Sequence, residues 1–177
     1  MAEKLGFLKV RQHPAHGYFG GLLIVNHLAR PLEFHCTMPV KPSRAQVLLY
    51  GPTIEDFVCG EQIAVALIKK AKIRPGLVLT DSQSVLASQP ICKTPVVQIL
   101  ELGQGRRDVE ALSESRLQVE RAQTAGQSFH ALHEKFDATW GAAENLLAQL
   151  PGNFDFAEPL QRIEEALAEA HPVLKAA

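Results

Sequence analysis

The chain has 177 residues, 46% of them hydrophobic and 21% charged, with 18 Lys and Arg against 19 Asp and Glu. A length of this order fits one domain, and the composition excludes a disordered tail, a collagenous repeat and a disulfide scaffold. The net charge of −1 hides a gradient, because residues 1–75 carry +5 and residues 76–177 carry −6.

The longest apolar run, residues 18–25, is less than half of the ~20 residues that span a bilayer. Glu3, Lys4 and Lys9 leave no room for a secretory signal, and neither end carries a lipidation motif. Cys36, Cys59 and Cys92 are too few and too scattered for a staple and fit a reducing compartment. The expectation is a cytoplasmic protein with no membrane contact.

In chain order, residues 5–11 read as a short strand, broken by Pro14 and Gly17. Residues 19–26 are apolar on both faces, which predicts a central strand. Residues 32–38 alternate, with Leu32, Phe34, Cys36 and Met38 on one face and Glu33, His35 and Thr37 on the other. These two runs form a hairpin through a loop at 26–31. Ser43 is placed to cap a helix over 44–50, and Thr53 a second one ending near Lys69, Lys70 and Lys72, which Gly60 interrupts. Residues 77–80 and 96–100 are short apolar strands, and Asp81 or Ser82 caps a helical turn between them. The alternation of strand and helix suggests parallel crossovers joined to the antiparallel hairpin.

Residues 103–128 are polar and read as a linker or irregular helix. Beyond them, Phe129, Leu132, Phe136, Trp140, Ala143, Leu147 and Leu150 recur at intervals of 3 and 4, and Phe156, Leu160, Ile163, Leu167 and Ala170 repeat the spacing after a turn at 151–153. That pattern predicts two amphipathic helices. The expected architecture is α+β: a mixed sheet of about five strands with covering helices over 1–102, then a linker over 103–128, then a C-terminal αα-hairpin over 129–177.

The most distinctive stretch runs Gly21-Leu22-Leu23-Ile24-Val25-Asn26, Pro31-Leu32-Glu33-Phe34, Pro39-Val40-Lys41-Pro42, Gln46 and Leu49-Tyr50-Gly51. It resembles an uncharacterised bacterial protein family of unknown function, over the first half of the chain only. The resemblance implies a bacterial, cytosolic origin and carries no activity, cofactor or site residue.

No complete catalytic constellation is present. There is no phosphate-binding loop of the Gly-x-x-x-x-Gly-Lys-Ser/Thr type and no Gly-x-Ser-x-Gly elbow. Gly103-Gln104-Gly105-Arg106-Arg107 offers glycines and cations for an anion, but a surface turn explains it as well. His130 and His133, three apart on the expected helix, have the spacing to share a metal, as have His13 and His16 around Pro14; neither pair has the further ligands that a site needs. Cys92, next to Lys93, is the most exposed-looking thiol. No cofactor is expected.

Asp81 is the strongest single enzyme candidate. It ends an apolar strand, and ligands of open α/β sheets gather at the carboxyl ends of strands. A carboxylate there can hold a divalent metal or act as a base, with Glu61, Glu33 or Asp56 as companions. Lys69, Lys70, Lys72 and Arg74 form the densest basic group and a phosphate-contact candidate.

Three readings of function follow. The leading one is a non-catalytic binding or assembly module that meets a protein partner or a second copy through the C-terminal helices, with Phe136, Trp140, Leu147, Leu160, Ile163 and Leu167, or through a sheet edge. The alternative is a divalent-metal-dependent hydrolase or nuclease-like enzyme built on Asp81. A third reading is weak nucleic-acid binding by the basic half.

Overall fold

The structure, a computed structural model, describes residues 3–100, 117–124 and 127–176. Strand β1 (Leu5–His13) and β2 (Gly17–Val25) form a long antiparallel hairpin, and β3 (Pro31–Cys36) adds to β2. Helix α1 (Arg44–Tyr50) follows, then a π-helical stretch (Asp56–Ala64) that runs into α2 (Val65–Lys70). Strand β4 (Leu77–Thr80), a 3₁₀ segment (Gln83–Ser88), and β5 (Val96–Leu100) come next. After the undescribed stretch stand β6 (Val119–Thr124), β7 (Gln127–Leu132), α3 (Phe136–Leu147) and α4 (Ala157–Ala170).

The strands make one seven-stranded sheet in the order β3-β2-β1-β4-β5-β7-β6. β1, β4 and β5 are parallel neighbours, and the remaining pairs are antiparallel. Alternation along β1 decides the layers. Leu5 and Phe7 face a core shared with Leu147, Leu160, Ile163 and Leu167, while Leu8 faces one shared with Val58, Ile63, Leu67 and Leu86. The sheet is therefore sandwiched, with α3 and α4 on one face and the π-helix, α2 and the 3₁₀ segment on the other. Each fully buried Phe or Leu contributes roughly 1.5–3 kcal/mol.

Two adjacent glycines set how closely the helices approach. A Cβ on Gly20 would lie 2.2 Å from Ile63 on one face, and a Cβ on Gly21 would lie 2.5 Å from Ile163 on the other. Either contact is well inside van der Waals distance, so β2 needs glycine at both positions.

The expected strands at 77–80 and 96–100 are present as read, as are the hairpin of the second and third strands and the parallel crossovers. Ser43 caps α1 in a capping box with Gln46. The sheet, however, has seven strands and not five. Residues 127–132 form β7, and its neighbour β6 occupies part of the expected linker. Phe129 and Leu132 imitate helical spacing because β7 is covered on both faces, so its apolar residues do not alternate. Thr53 caps no helix; its hydroxyl donates to the Tyr50 carbonyl.

The expected docking stripe is also corrected. Leu147, Leu160, Ile163 and Leu167 are buried against the sheet of their own chain, and Phe136 and Trp140 pack on the same core, ring against ring. The helices lie on the sheet as its covering layer, which satisfies their apolar stripes without a partner. Among the described residues, no helix is long and apolar enough to cross a membrane.

Candidate functional site at the carboxyl ends of the parallel strands

The register of β1 against β4 pairs Leu5 with Leu77 and ends at Leu8 with Thr80. One residue further, Lys9 and Asp81 come side by side on the α4 face. The Lys9 ammonium lies 2.5 Å from the Asp81 carboxylate and 3.5 Å from that of Glu164 on α4. Arg11, two residues further along β1, stands 3.5 Å from the other oxygen of Glu164. Gly21 explains how Glu164 arrives. It pairs with Lys9 across the hairpin, and Ile163 packs on its bare Cα, which brings the next residue of α4 over Lys9.

Lys9, Asp81 and Glu164 line a cleft of about 590 Å³. Its apolar wall includes Ile99, Phe154, Phe156 and Leu160, and its polar lining includes Gln127, Asp155 and Gln161. Phe154 is half-buried and stacks on Phe7 with ring centroids 6.3 Å apart. Asp155 accepts hydrogen bonds from the N–H groups of Ala157 and Glu158, so its carboxylate closes the first turn of α4. Gln127 donates to the Leu100 carbonyl at the end of β5.

Burial alone would lower the Lys9 pKa, but the carboxylates of Asp81 and Glu164 outweigh it and hold the ammonium above its ordinary value. Lys9 is thus charged throughout the neutral range. Asp81 does not cap the turn that follows it. The 3₁₀ segment has no side-chain cap, and the Ser82 N–H donates to the Thr80 hydroxyl instead.

The other candidates are dispersed. Glu61 is exposed on the π-helix, in the layer across the sheet, and does not line the cleft. Glu33 is engaged by the backbone N–H groups of Lys72 and Ile73. Asp56 is buried in the π-helical layer. Lys69, Lys70, Lys72 and Arg74 lie before the start of β4, at the opposite end of that strand from Asp81. His130 belongs to β7, where it bonds Gln98 at 3.2 Å; burial, then the charge of Arg121, lowers its pKa. His133 pairs with Glu120, so the two histidines have separate partners and hold no metal together. His13 and His16 stack at the β1–β2 turn with centroids 4.8 Å apart. Burial raises the Cys92 thiol pKa, against the activation that Lys93 suggested. Residues 103–107 lie outside the described residues.

A divalent metal does not fit this donor set. Asp81 and Glu164 are bridged by the Lys9 ammonium, and Asp155 is spent on a helix terminus. Among the described residues, no group of three or more His, Cys, Asp or Glu is placed to hold a metal ion. Lys9, Arg11 and Glu164 are the members of this cluster that sequence reading did not single out. None carries a local motif, and only the register of strands far apart in sequence brings them to Asp81.

A mixed seven-stranded sheet between two helical layers, with a polar cleft at the ends of its parallel strands, is an α+β fold. In particular, it is shared with endonuclease V. The human endonuclease V structure aligns with a TM-score of 0.53 at 12% identity, over 99% of this chain and 87% of that one. Endonuclease V of Ciona intestinalis, a D234N variant in complex with DNA containing an inosine followed by a ribo-adenosine, aligns with a TM-score of 0.50 at 11% identity, over 96% and 87%. The catalytic domain of human endonuclease V gives 0.50 at 9% identity, over 96% and 82%. No protein-family model matches the sequence, and no curated protein matches it. The likeness to endonucleases over nearly the whole chain, tail included, overturns the expectation of a protein-interaction module.

Proposed function

We propose that the protein is nuclease-like and takes a nucleic-acid strand into the cleft at Asp81. The observation that carries this reading is the position of Asp81. It sits at the carboxyl end of β4, paired with Lys9, in a cleft of a sheet whose fold is shared with endonuclease V. Lys9 and Arg11 supply positive charge for a phosphate group and for the charge that develops on its oxygens during attack. The Asp81 carboxylate accepts a proton from the water that attacks phosphorus, the P–O bond to the leaving nucleotide breaks, and the leaving oxygen takes a proton from solvent. The ring of Phe154 gives a base a face on which to stack, a contact worth about 1–3 kcal/mol per base where it forms.

The test is binding and cleavage of single-stranded DNA and RNA oligonucleotides, with and without inosine, as followed by anisotropy and denaturing gels. The wild type is expected to bind, with affinity falling as salt rises. Asp81→Asn is expected to keep binding and to lose cleavage by about a hundredfold or more. Absence of both binding and cleavage in the wild type would sink the proposal.

A further inference from the structure

The cleft has two carboxylates facing one another, and the space between them is filled by a side chain. Asp81 Oδ2 and Glu164 Oε2 both meet the Lys9 ammonium, and Glu164 Oε1 meets Arg11. We infer that Lys9 is the site's own cation, that it excludes a divalent ion from the cleft, and that the cleft binds its ligand without one. The inference deepens the proposed function and rests on it in taking this cleft as the place where a phosphodiester binds.

Three features hold the ammonium in place. Lys9 belongs to a strand hydrogen-bonded on both sides, by β2 and β4, so its backbone cannot withdraw. Its side chain is only 18% exposed, and its stem runs between the sheet and α4, so water cannot easily draw the head group away. The ammonium also meets two carboxylates at once, Asp81 and Glu164, in a cleft whose lining is otherwise acidic through Asp155. A divalent ion entering here would meet a fixed ammonium at hydrogen-bond range, and repulsion rises with the product of the charges.

A phosphate group meets the opposite situation. It can take over the Lys9 and Arg11 contacts from the carboxylates without any metal between them. Glu164 is 44% exposed at its side chain, so it can turn outward and leave both cations to the ligand.

The same geometry predicts what removal of the ammonium does. Without it, two carboxylates face a water-filled gap, and one or two carboxylates with waters suffice for Mg²⁺ or Mn²⁺. The experiment uses the full chain as wild type, Lys9→Ala, and Lys9→Ala combined with Asp81→Asn. Mn²⁺ binding is followed by electron paramagnetic resonance and by melting temperature. The wild type is expected to bind no Mn²⁺ at the cleft and to show no shift in Tm. Lys9→Ala is expected to bind Mn²⁺ and to gain about 5 °C at a hundredfold excess over its Kd, an effect that the double variant loses. Lys9→Met, which keeps most of the stem, serves if the alanine variant does not fold. Mn²⁺ binding by the wild type that Asp81→Asn abolishes would overturn the inference. So would a folded Lys9 variant that binds no more Mn²⁺ than the wild type.

A second arm compares oligonucleotide binding in EDTA and in Mn²⁺. Equal affinity is expected, and binding that requires Mn²⁺ would overturn the inference. If the wild type binds no oligonucleotide at all, the proposed function fails, while the Mn²⁺ measurements still decide the role of Lys9.

Discussion

Two carboxylates mark two regions of the sheet, and they are held in different ways. Glu33, on the edge strand β3, accepts the backbone N–H groups of Lys72 at 2.9 Å and Ile73 at 2.7 Å, and also pairs with His35. Those bonds, the two backbone ones first, pull its pKa down to about 2. Asp81, in the sheet's interior order, is held by a lysine side chain and opens on a cleft. A backbone N–H cannot leave its place without unfolding the loop that carries it, whereas Glu164, the second carboxylate on the Lys9 ammonium, is 44% exposed and can give way to another anion. The first arrangement fastens the end of α2 to β3; the second stays able to exchange one anion for another.

The largest expected effect on this contrast comes from Gly21→Val. The added side chain collides with Ile163, and overpacking of this kind costs about 1–3 kcal/mol. Urea unfolding should show that loss. It should also be accompanied by weaker oligonucleotide binding, because displacement of α4 reshapes the cleft wall that Ala157, Leu160 and Gln161 form. A Gly21→Val protein as stable as the wild type would mean that α4 is not seated as described.

A pH series sharpens the Glu33 side of the comparison. A carboxyl whose folded pKa lies near 2, against an ordinary 4.5, adds stability above about pH 4.5 and loses it as the pH falls toward 2. Glu33→Gln cannot accept both N–H groups, since its amide nitrogen faces one of them. The variant should therefore be less stable than the wild type at pH 7, and the gap should close as the pH is lowered from 4.5. A gap independent of pH would remove the charge from the explanation.

The smallest effect is expected at Glu164→Gln. Its carboxylate is partly exposed, and pairs of that kind contribute about 0–1 kcal/mol. Melting temperature should barely move, while oligonucleotide affinity should rise slightly because a competitor for Lys9 and Arg11 is gone. A large loss of stability would show that Glu164 fastens the fold as Glu33 does.

Much of the scaffold was legible in sequence. The runs at 77–80 and 96–100 are short, apolar and bounded by turn residues, and such runs have few alternatives to being buried parallel strands. The position of Asp81 followed from the first of them. β6 and β7 were not legible, because β6 is polar and β7 is covered on both faces, so neither alternates. The rest of the site was hidden for a different reason. Lys9 looked like one dispersed cation among many, and Glu164 like the polar side of an amphipathic helix. Their roles depend on a parallel register and on a bare Cα at Gly21, neither of which leaves a mark near the residues concerned.

The order in which the site's parts occur along the chain has a consequence for biosynthesis. Lys9 leaves the ribosome before Asp81, and Asp81 before Glu164. Contacts of such wide sequence separation form late and slowly. During translation Lys9 waits first for β4 and then for α4, so the nascent chain has a partly built sheet whose cations are not yet screened by Glu164. A chain released before α4 is complete would lack the covering layer over Leu5 and Phe7, leaving apolar surface open to aggregation. Completion of the cleft and protection of the core are thus the same late event.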